Sequence, residues 1–187
     1  MSLRVSFELD DDDLKHFRLI MRASRKTVTH CAPEDIVASA NALLSKIGPT
    51  KVPRFIRERL DKLSVMIRML TDHEWRLPHK DSTRVLNALA YFTEPEDLIP
   101  DHIPGLGFLD DAIMIELVVR ELKHEIEAYD DFCDFRDSRG SGRRIKASST
   151  DMTREKWLAG RRETLQSRMR RRRKRRKDED GASEPLL

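Results

Sequence analysis

The stretch Leu109–Cys133, LDDAIMIELVVRELKHEIEAYDDFC, decides the fold. Its apolar residues recur at spacings of three and four, which is the period of one face of a helix. They form a stripe at Ile115, Val119, Leu122, Ile126, Tyr129 and Cys133. The first half of the stretch is apolar nearly all round, and a helix of that kind is normally buried on every side. We therefore predict one long helix, beginning near Asp110, at the centre of the molecule.

Four earlier segments repeat the helical period, and each follows a signal for the start of a helix. The first follows the acidic run Asp10–Asp13, and the others follow Pro33, Pro53 and Pro78. Acidic side chains and proline are both favoured at the first turn of a helix. These segments predict an all-α fold: a compact bundle of about five helices, residues 7–136, around the apolar helix.

The composition supports a helical protein with one core. Apolar residues make up 39% of the 187 residues, while 7 glycines and 8 prolines leave little material for the turns of a β-sandwich. The N-terminus has no long apolar run, and the most apolar stretch, residues 112–119, is well short of the roughly 20 residues of a bilayer span. We expect a cytoplasmic protein that associates peripherally with a membrane, if it associates with one at all.

Charge is distributed very unevenly along the chain. The formal net charge is only +3, but residues 139–177 contain 17 Lys and Arg against three acidic residues. We predict a linker at residues 137–152 and a basic tail, helical or disordered, at residues 153–187 with an acidic end. The tail is densest in cations at Arg168, Arg170, Arg171, Arg172, Arg173, Lys174, Arg175, Arg176 and Lys177.

Three interpretations of this basic run stay open. Clustered arginine and lysine bind phosphates, either of nucleic acid without sequence preference or of an anionic lipid surface. Trp157 and Leu165 precede the charges and favour the membrane, because an apolar stripe beside a basic face is the combination used there. In the third interpretation, the tail folds back on the acidic body.

Residues 90–111, AYFTEPEDLIPDHIPGLGFLDD, interrupt the helical pattern. Proline removes a backbone donor and breaks a helix, while glycine permits close backbone approach. We therefore assign a structural role to the turn-forming residues Pro95, Pro100, Pro104, Gly105 and Gly107. Asp110 is placed to cap the helix that follows.

The same segment resembles the YkvA-like family of unknown function, a small helical domain found widely in bacteria. The resembling pieces are DLIPD at 97–101, IP at 103–104, Gly107 and LDDA at 109–112, within a region of about residues 84–129. The resemblance implies a helical domain and, in several relatives, association with membranes. It implies no reaction and no catalytic residue.

Two functional hypotheses from different classes follow. The first is a non-enzymatic interaction module that docks an unknown protein partner or a second copy of itself, with the tail on an anionic surface. The second is a metal-dependent or acid–base enzyme in which Asp97, Asp101, Asp110 and Asp111 converge. Bunched carboxylates bind Mg²⁺ or Ca²⁺ and raise one another's pKa. No catalytic partner residue accompanies them, so we expect no cofactor unless a divalent cation binds here.

Overall fold

The computed structural model describes residues 8–27, 31–49, 51–93, 99, 107–140 and 150–179. These residues form seven α-helices and one 3₁₀ turn. The helices are α1 (Asp11–Thr27), α2 (Pro33–Ile47), α3 (Arg54–Thr71), α4 (His79–Leu89), α5 (Leu109–Glu121), α6 (Lys123–Gly140) and α7 (Thr150–Glu179), and the 3₁₀ turn is Ala90–Thr93. The described residues contain no strand, which confirms the all-α prediction.

The acidic run does start α1, and it does so by capping. The Asp10 carboxylate accepts hydrogen bonds from the backbone N–H groups of Asp12 and Asp13, at 2.8 and 2.9 Å. The Asp13 carboxylate accepts one in return from the N–H of Asp10, at 3.1 Å. This reciprocal arrangement satisfies donors that the first turn of a helix leaves unpaired.

The core lies around α3 and α5, which pack against each other. Their fully buried side chains include Leu63, Met66 and Met69 from α3, and Met114, Ile115 and Val118 from α5. The α3–α4 connection contributes Trp75, which is completely buried against the rings of Tyr129 and Phe132 of α6. The central position of the apolar segment agrees with its amino-acid pattern.

The prediction of one continuous central helix was wrong. The segment is broken at Leu122, where α5 ends and α6 begins. Helical hydrogen bonds are nevertheless kept on both sides of the break. The N–H of Leu122 donates to the carbonyl of Val118, and the N–H of Ile126 donates to the carbonyl of Leu122. Burial within α5 also differs from the predicted stripe, since Val119 is only half-buried whereas Val118 is fully buried.

Helix α7 packs along α6 in the opposite direction. Near the start of α7, Trp157 stacks on Phe135 of α6, and further along Arg172 of α7 reaches Glu127 near the start of α6. Leu158, Leu165 and Met169 are buried beneath the helix. Helical structure also extends into the predicted linker 137–152 from both ends, leaving residues 141–149 outside the described part of the chain. The contacts between α7 and α6 favour the interpretation in which the tail folds back on the body.

Candidate anion-binding surface

The basic run of α7 is divided between two sides of the helix, and its inner side is centred on Arg173. One guanidinium nitrogen of Arg173 lies 2.7 Å from the carboxylate of Asp81 in α4 and 2.7 Å from that of Glu125 in α6. Both carboxylate side chains are almost completely buried. Arg173 therefore ties α7 to two elements that are far away in sequence.

Burial of this ion-pair cluster removes its charged groups from water, which costs free energy. Burial alone would lower the pKa of Arg173, but the hydrogen bonds to Asp81 and Glu125 outweigh it and raise the pKa. Arg84 of α4 adds a contact of 3.4 Å to the same Glu125 oxygen, while Oε2 of Glu125 is buried and has no hydrogen-bond partner within the described part of the chain. Two carboxylates this close repel each other unless a cation lies between them. Arg173 supplies that cation.

Two further arginines of the run also point inward. Arg172 pairs with Glu127 at 3.1 Å, and Arg176 donates a hydrogen bond to the backbone carbonyl of Arg120 at the end of α5. Both contacts lie within one helical turn of Arg173, so these three arginines together fasten the C-terminal half of α7 to the body. The charge pattern of the sequence alone would have placed the same side chains in solvent.

The N-terminal half of α7 is fastened to the α3–α4 connection. Arg154 pairs with the Glu74 carboxylate at 2.6 Å, and Arg162 donates to the Glu74 backbone carbonyl at 2.7 Å. The buried Gln166 donates to the carbonyl of Trp75 at 3.0 Å. The hydrogen bond from Arg154 is the largest influence on the pKa of Glu74, which is lowered despite partial burial.

Asp72 holds the same connection against α6. Its carboxylate accepts hydrogen bonds from Arg136 at 2.7 Å and from the Tyr129 hydroxyl at 3.0 Å. It also accepts from the backbone N–H groups of Glu74 and Trp75. Burial by itself would raise the pKa of Asp72, but these donors together lower it. Four donors to the Asp72 carboxylate therefore join the connection that receives α7 to α6 and fix its turn.

Of the six remaining cations of the run, Arg170 is exposed but lies 3.9 Å from the Asp81 carboxylate, and the other five face the solvent. We call this set the outer basic face: Arg168, Arg171, Lys174, Arg175 and Lys177, all of which are exposed. At 3.6 residues per turn these five positions occupy the half of the helix opposite Leu165 and Met169. The outer basic face is an array of positive charge on an ordered helix, and it has the chemistry to bind phosphate groups.

The sequence-based interpretation of Trp157 and Leu165 as membrane contacts needs correction. The rings of Trp157 and Phe135 stack with centroids 3.7 Å apart, and Leu165 is 1% exposed. Both side chains are therefore used to pack α7 on the body, because the apolar side of an amphipathic helix buries wherever a partner surface is available. The outer basic face therefore presents positive charge to the solvent, and Trp157 and Leu165 add no apolar contact there.

Two of the four aspartates predicted to converge in residues 90–111 lie outside the described residues, so their convergence stays a prediction. Asp97 and Asp101 lie outside them, as do Pro95, Pro100, Pro104 and Gly105, whereas Gly107 lies in a buried turn. Asp110 and Asp111 are buried in the first turn of α5. Within the described part of the chain, no three His, Cys, Asp or Glu side chains are grouped as metal ligands would be.

Asp110 does not cap α5 as predicted. The helix begins one residue earlier, with Phe108 at the capping position and no side-chain cap. The Asp110 carboxylate instead accepts a hydrogen bond from the backbone N–H of Ile99, at 2.9 Å, and Oδ1 is buried with no partner among the described residues. This hydrogen bond holds the backbone of Ile99 at the start of α5.

Comparison with known proteins confirms the resemblance in part of the chain. A family model described as protein of unknown function (DUF1232) matches residues 83–117. The uncharacterized membrane protein YkvA of Bacillus subtilis (strain 168) is 44% identical over 43 residues, which cover 23% of this chain and 41% of that protein. No solved structure matches. The chain therefore carries a YkvA-like segment of unknown function, and it spans less than half the length of that relative.

Neither the family description nor the relative's name contains a reaction. Among the described residues, no helix is both long enough and apolar enough to cross a bilayer.

The residues that receive α7 could not be recognised as such in the sequence. Asp81 reads as an ordinary acidic residue in the first turn of a helix, and Glu125 as a polar residue beside an apolar stripe. One weak signal exists: Glu125 lies three residues after Leu122 and one before Ile126, so it is close to the buried face. A carboxylate there needs a buried cation as partner, but the pattern does not say that the cation comes from α7.

Proposed function

We propose that this protein is a non-enzymatic interaction module that associates peripherally with anionic membranes through the outer basic face of α7. The observation that supports the proposal most is the division of the basic run. Arg172, Arg173 and Arg176 fasten the helix to the body, and the outer basic face is left exposed on an ordered support. The name of the B. subtilis relative, a membrane protein, adds support for a membrane rather than another polyanion.

The expected binding is electrostatic. Each Lys or Arg near an anionic bilayer contributes about 1 kcal/mol of attraction, so five such residues are enough for reversible adsorption. The apolar side chains Leu158, Leu165 and Met169 are buried under α7, so they add nothing at the surface while the helix stays docked. Binding should therefore weaken steeply as salt rises.

The experiment is co-sedimentation of the full chain with vesicles of phosphatidylcholine alone or mixed with phosphatidylglycerol. Binding is expected only to the mixed vesicles. The outer-face variant replaces four exposed cations of α7 by glutamine: Arg168, Arg171, Lys174 and Lys177. We expect it to lose most of the binding at a salt concentration where the natural chain is half bound.

A matched control removes the same number of charges from another part of the molecule. It carries glutamine at four exposed positions of α1, α3 and the segment before α3: Lys15, Lys51, Arg54 and Lys62. If both variants lose binding equally, net charge rather than the outer basic face is responsible. If the natural chain binds duplex DNA but not the anionic vesicles at the same salt, the lipid proposal is wrong and the nucleic-acid alternative replaces it.

A further inference from the structure

The first turn of α6 lies directly beside the C-terminal part of α7. Arg172 of α7 pairs with Glu127 of α6 at 3.1 Å. Arg176 of α7 donates to the backbone carbonyl of Arg120, at the end of α5. Lys123, the first residue of α6, lies between these two contact points in the chain, and its amino group is 3.9 Å from the Glu127 carboxylate. Lys123 is therefore a neighbour of the basic run of α7.

The charged side chains at the junction of α5 and α6 are sorted by side. Among residues 119–126, the exposed side chains are those of Arg120 and Lys123. Glu121 and Glu125 are turned inward instead, where both contact Arg84. At this junction the cations therefore face the solvent, while these two acidic side chains are used inside the molecule.

Two cations share the single carboxylate of Glu127. Lys123 approaches Oε1 and Arg172 approaches Oε2, and all three side chains are partly open to the solvent. A guanidinium has five N–H donors, and the contact with Glu127 uses the Nη1 nitrogen of Arg172. Lys123 and Arg172 together therefore have more positive charge and more donors than one carboxylate takes up.

The helical period places further cations beside Arg172. Residues three and four apart are neighbours on the surface of a helix. Arg168 and Arg175 stand in this relation to Arg172, and both are exposed members of the outer basic face. The edge of α7 that meets the first turn of α6 is therefore lined by three arginines. We call Lys123, Arg168, Arg172 and Arg175 the junction patch.

We infer that the junction patch binds the phosphate of a phosphomonoester, carried by a lipid headgroup or by a small soluble ester. The inference rests on the proposed function, and it adds which phosphate chemistry the basic surface prefers. A phosphomonoester has a charge of about −1.5 to −2 at pH 7 and three strong acceptor oxygens. It can therefore contact cations of two helices at once, whereas each phosphodiester carries a single charge.

Glu127 sets the strength of the junction patch. Its carboxylate contacts both Lys123 and Arg172, so an incoming phosphate competes with it for the same cations. Glu127→Gln removes the competing charge and keeps the size of the side chain. We expect this change to raise the affinity for a phosphomonoester several-fold, and Lys123→Gln to lower it several-fold.

Two sets of vesicles test the patch on the full chain at pH 8, above the second pKa of about 6 of a phosphomonoester. One set contains phosphatidic acid and the other phosphatidylglycerol, adjusted to the same zeta potential. We expect the natural chain to bind the phosphatidic acid vesicles several-fold more tightly. Lys123→Gln should remove most of this preference. The matched control, Lys51→Gln at an exposed position before α3, should keep it.

Soluble glycerol 3-phosphate, titrated into the chain without vesicles, separates the two sources of the phosphate. Binding that Lys123→Gln weakens would mean that the patch takes the free ester. A preference for phosphatidic acid without binding in solution would assign the group to the lipid.

The inference is overturned if the chain binds both sets of vesicles equally and does not bind glycerol 3-phosphate. It is also overturned if Lys123→Gln and Lys51→Gln have the same effect. A natural chain that binds neither set of vesicles would instead overturn the proposed function, and the titration with glycerol 3-phosphate would still decide whether the patch exists.

Discussion

At the scale of single residues, the most consequential side chain is Arg173. It pairs with two carboxylates, Asp81 and Glu125, that are buried in different helices. A buried ion pair is weak evidence of net stabilisation, since its desolvation cost is large. Removing Arg173 is a different matter, because the buried carboxylates of Asp81 and Glu125 then keep only longer cation contacts, to Arg170 at 3.9 Å and to Arg84 at 3.4 Å.

Arg173→Ala is therefore expected to lower the free energy of unfolding by about 3–5 kcal/mol. The control is Lys174→Ala at the next residue, which is exposed and should change the stability by less than about 0.5 kcal/mol. Urea denaturation followed by circular dichroism measures both. Equal stability of the two variants would mean that Arg173 does not lie between the two carboxylates.

The pKa of Asp72 gives a prediction with a definite sign. Because the pKa of Asp72 in the folded protein lies below the ordinary aspartate value of 3.8, its carboxylate contributes fully to stability above that pH, and the contribution is lost as pH falls below it. Asp72→Asn should make the protein less stable at neutral pH. The stability difference between variant and natural protein should shrink as pH falls from about 5 to about 2. A difference that stays constant over that range would show that the Asp72 charge does not contribute.

At the scale of secondary-structure elements, α7 is the helix whose role depends most on its contacts. Its apolar stripe is thin, and its length of 30 residues consists mainly of charged side chains. The buried positions Leu158, Leu165 and Met169 nevertheless lie on the same side as Arg173. Apolar burial and specific ion pairs therefore act together in docking it.

Leu165→Ala tests the docking of α7. A fully buried leucine replaced by alanine typically costs about 2–5 kcal/mol, because apolar contact is lost and a cavity is left. The neighbouring Thr164 is exposed, so Thr164→Ala is the matched control and should change stability little. Thermal or urea unfolding of both variants is the measurement. If Leu165→Ala is as stable as Thr164→Ala, α7 is not packed on the body in solution.

The elements also show what a sequence reveals and what it does not. Helices α2 and α4 begin where Pro33 and Pro78 predict, because proline and apolar period are local signals. The break at Leu122 carries no such signal: no glycine or proline marks it, and the apolar period runs through it.

The site was less predictable than the helices for a related reason. The basic run stands out by its composition, but its division into two sides depends on partners such as Asp81, which is 92 residues away from Arg173. Likewise Trp157 looks the same in sequence whether it faces lipid or Phe135. Contacts between residues far apart in the sequence decide which side of α7 each side chain faces. Local patterns in a single sequence do not reveal such contacts.

At the scale of the whole molecule, α7 packs on the other helices as part of the folded body, although its amino-acid composition resembles that of a solvated tail. Removing it would uncover the side of α6 that contacts Trp157 and would leave Asp81 and Glu125 without Arg173. A chain that ends at Gly140 should therefore be markedly less stable than the full chain. This differs from the behaviour of a solvated tail, whose removal would leave the stability of the body unchanged.

A peptide of residues 150–179 added to the chain that ends at Gly140 tests whether α7 docks as a unit. Whatever binds only the folded state stabilises it, by about 2.7 kcal/mol at a concentration of 100 times the dissociation constant. We expect a saturable rise in melting temperature. The control peptide has serine in place of Leu158, Leu165 and Met169, which keeps every charge and removes the three buried apolar side chains. It should give little stabilisation, because charge attraction without apolar burial is weak and screened by salt. If the two peptides stabilise equally, the attraction of the basic run to the acidic body is unspecific, and the docked position of α7 is not its solution structure.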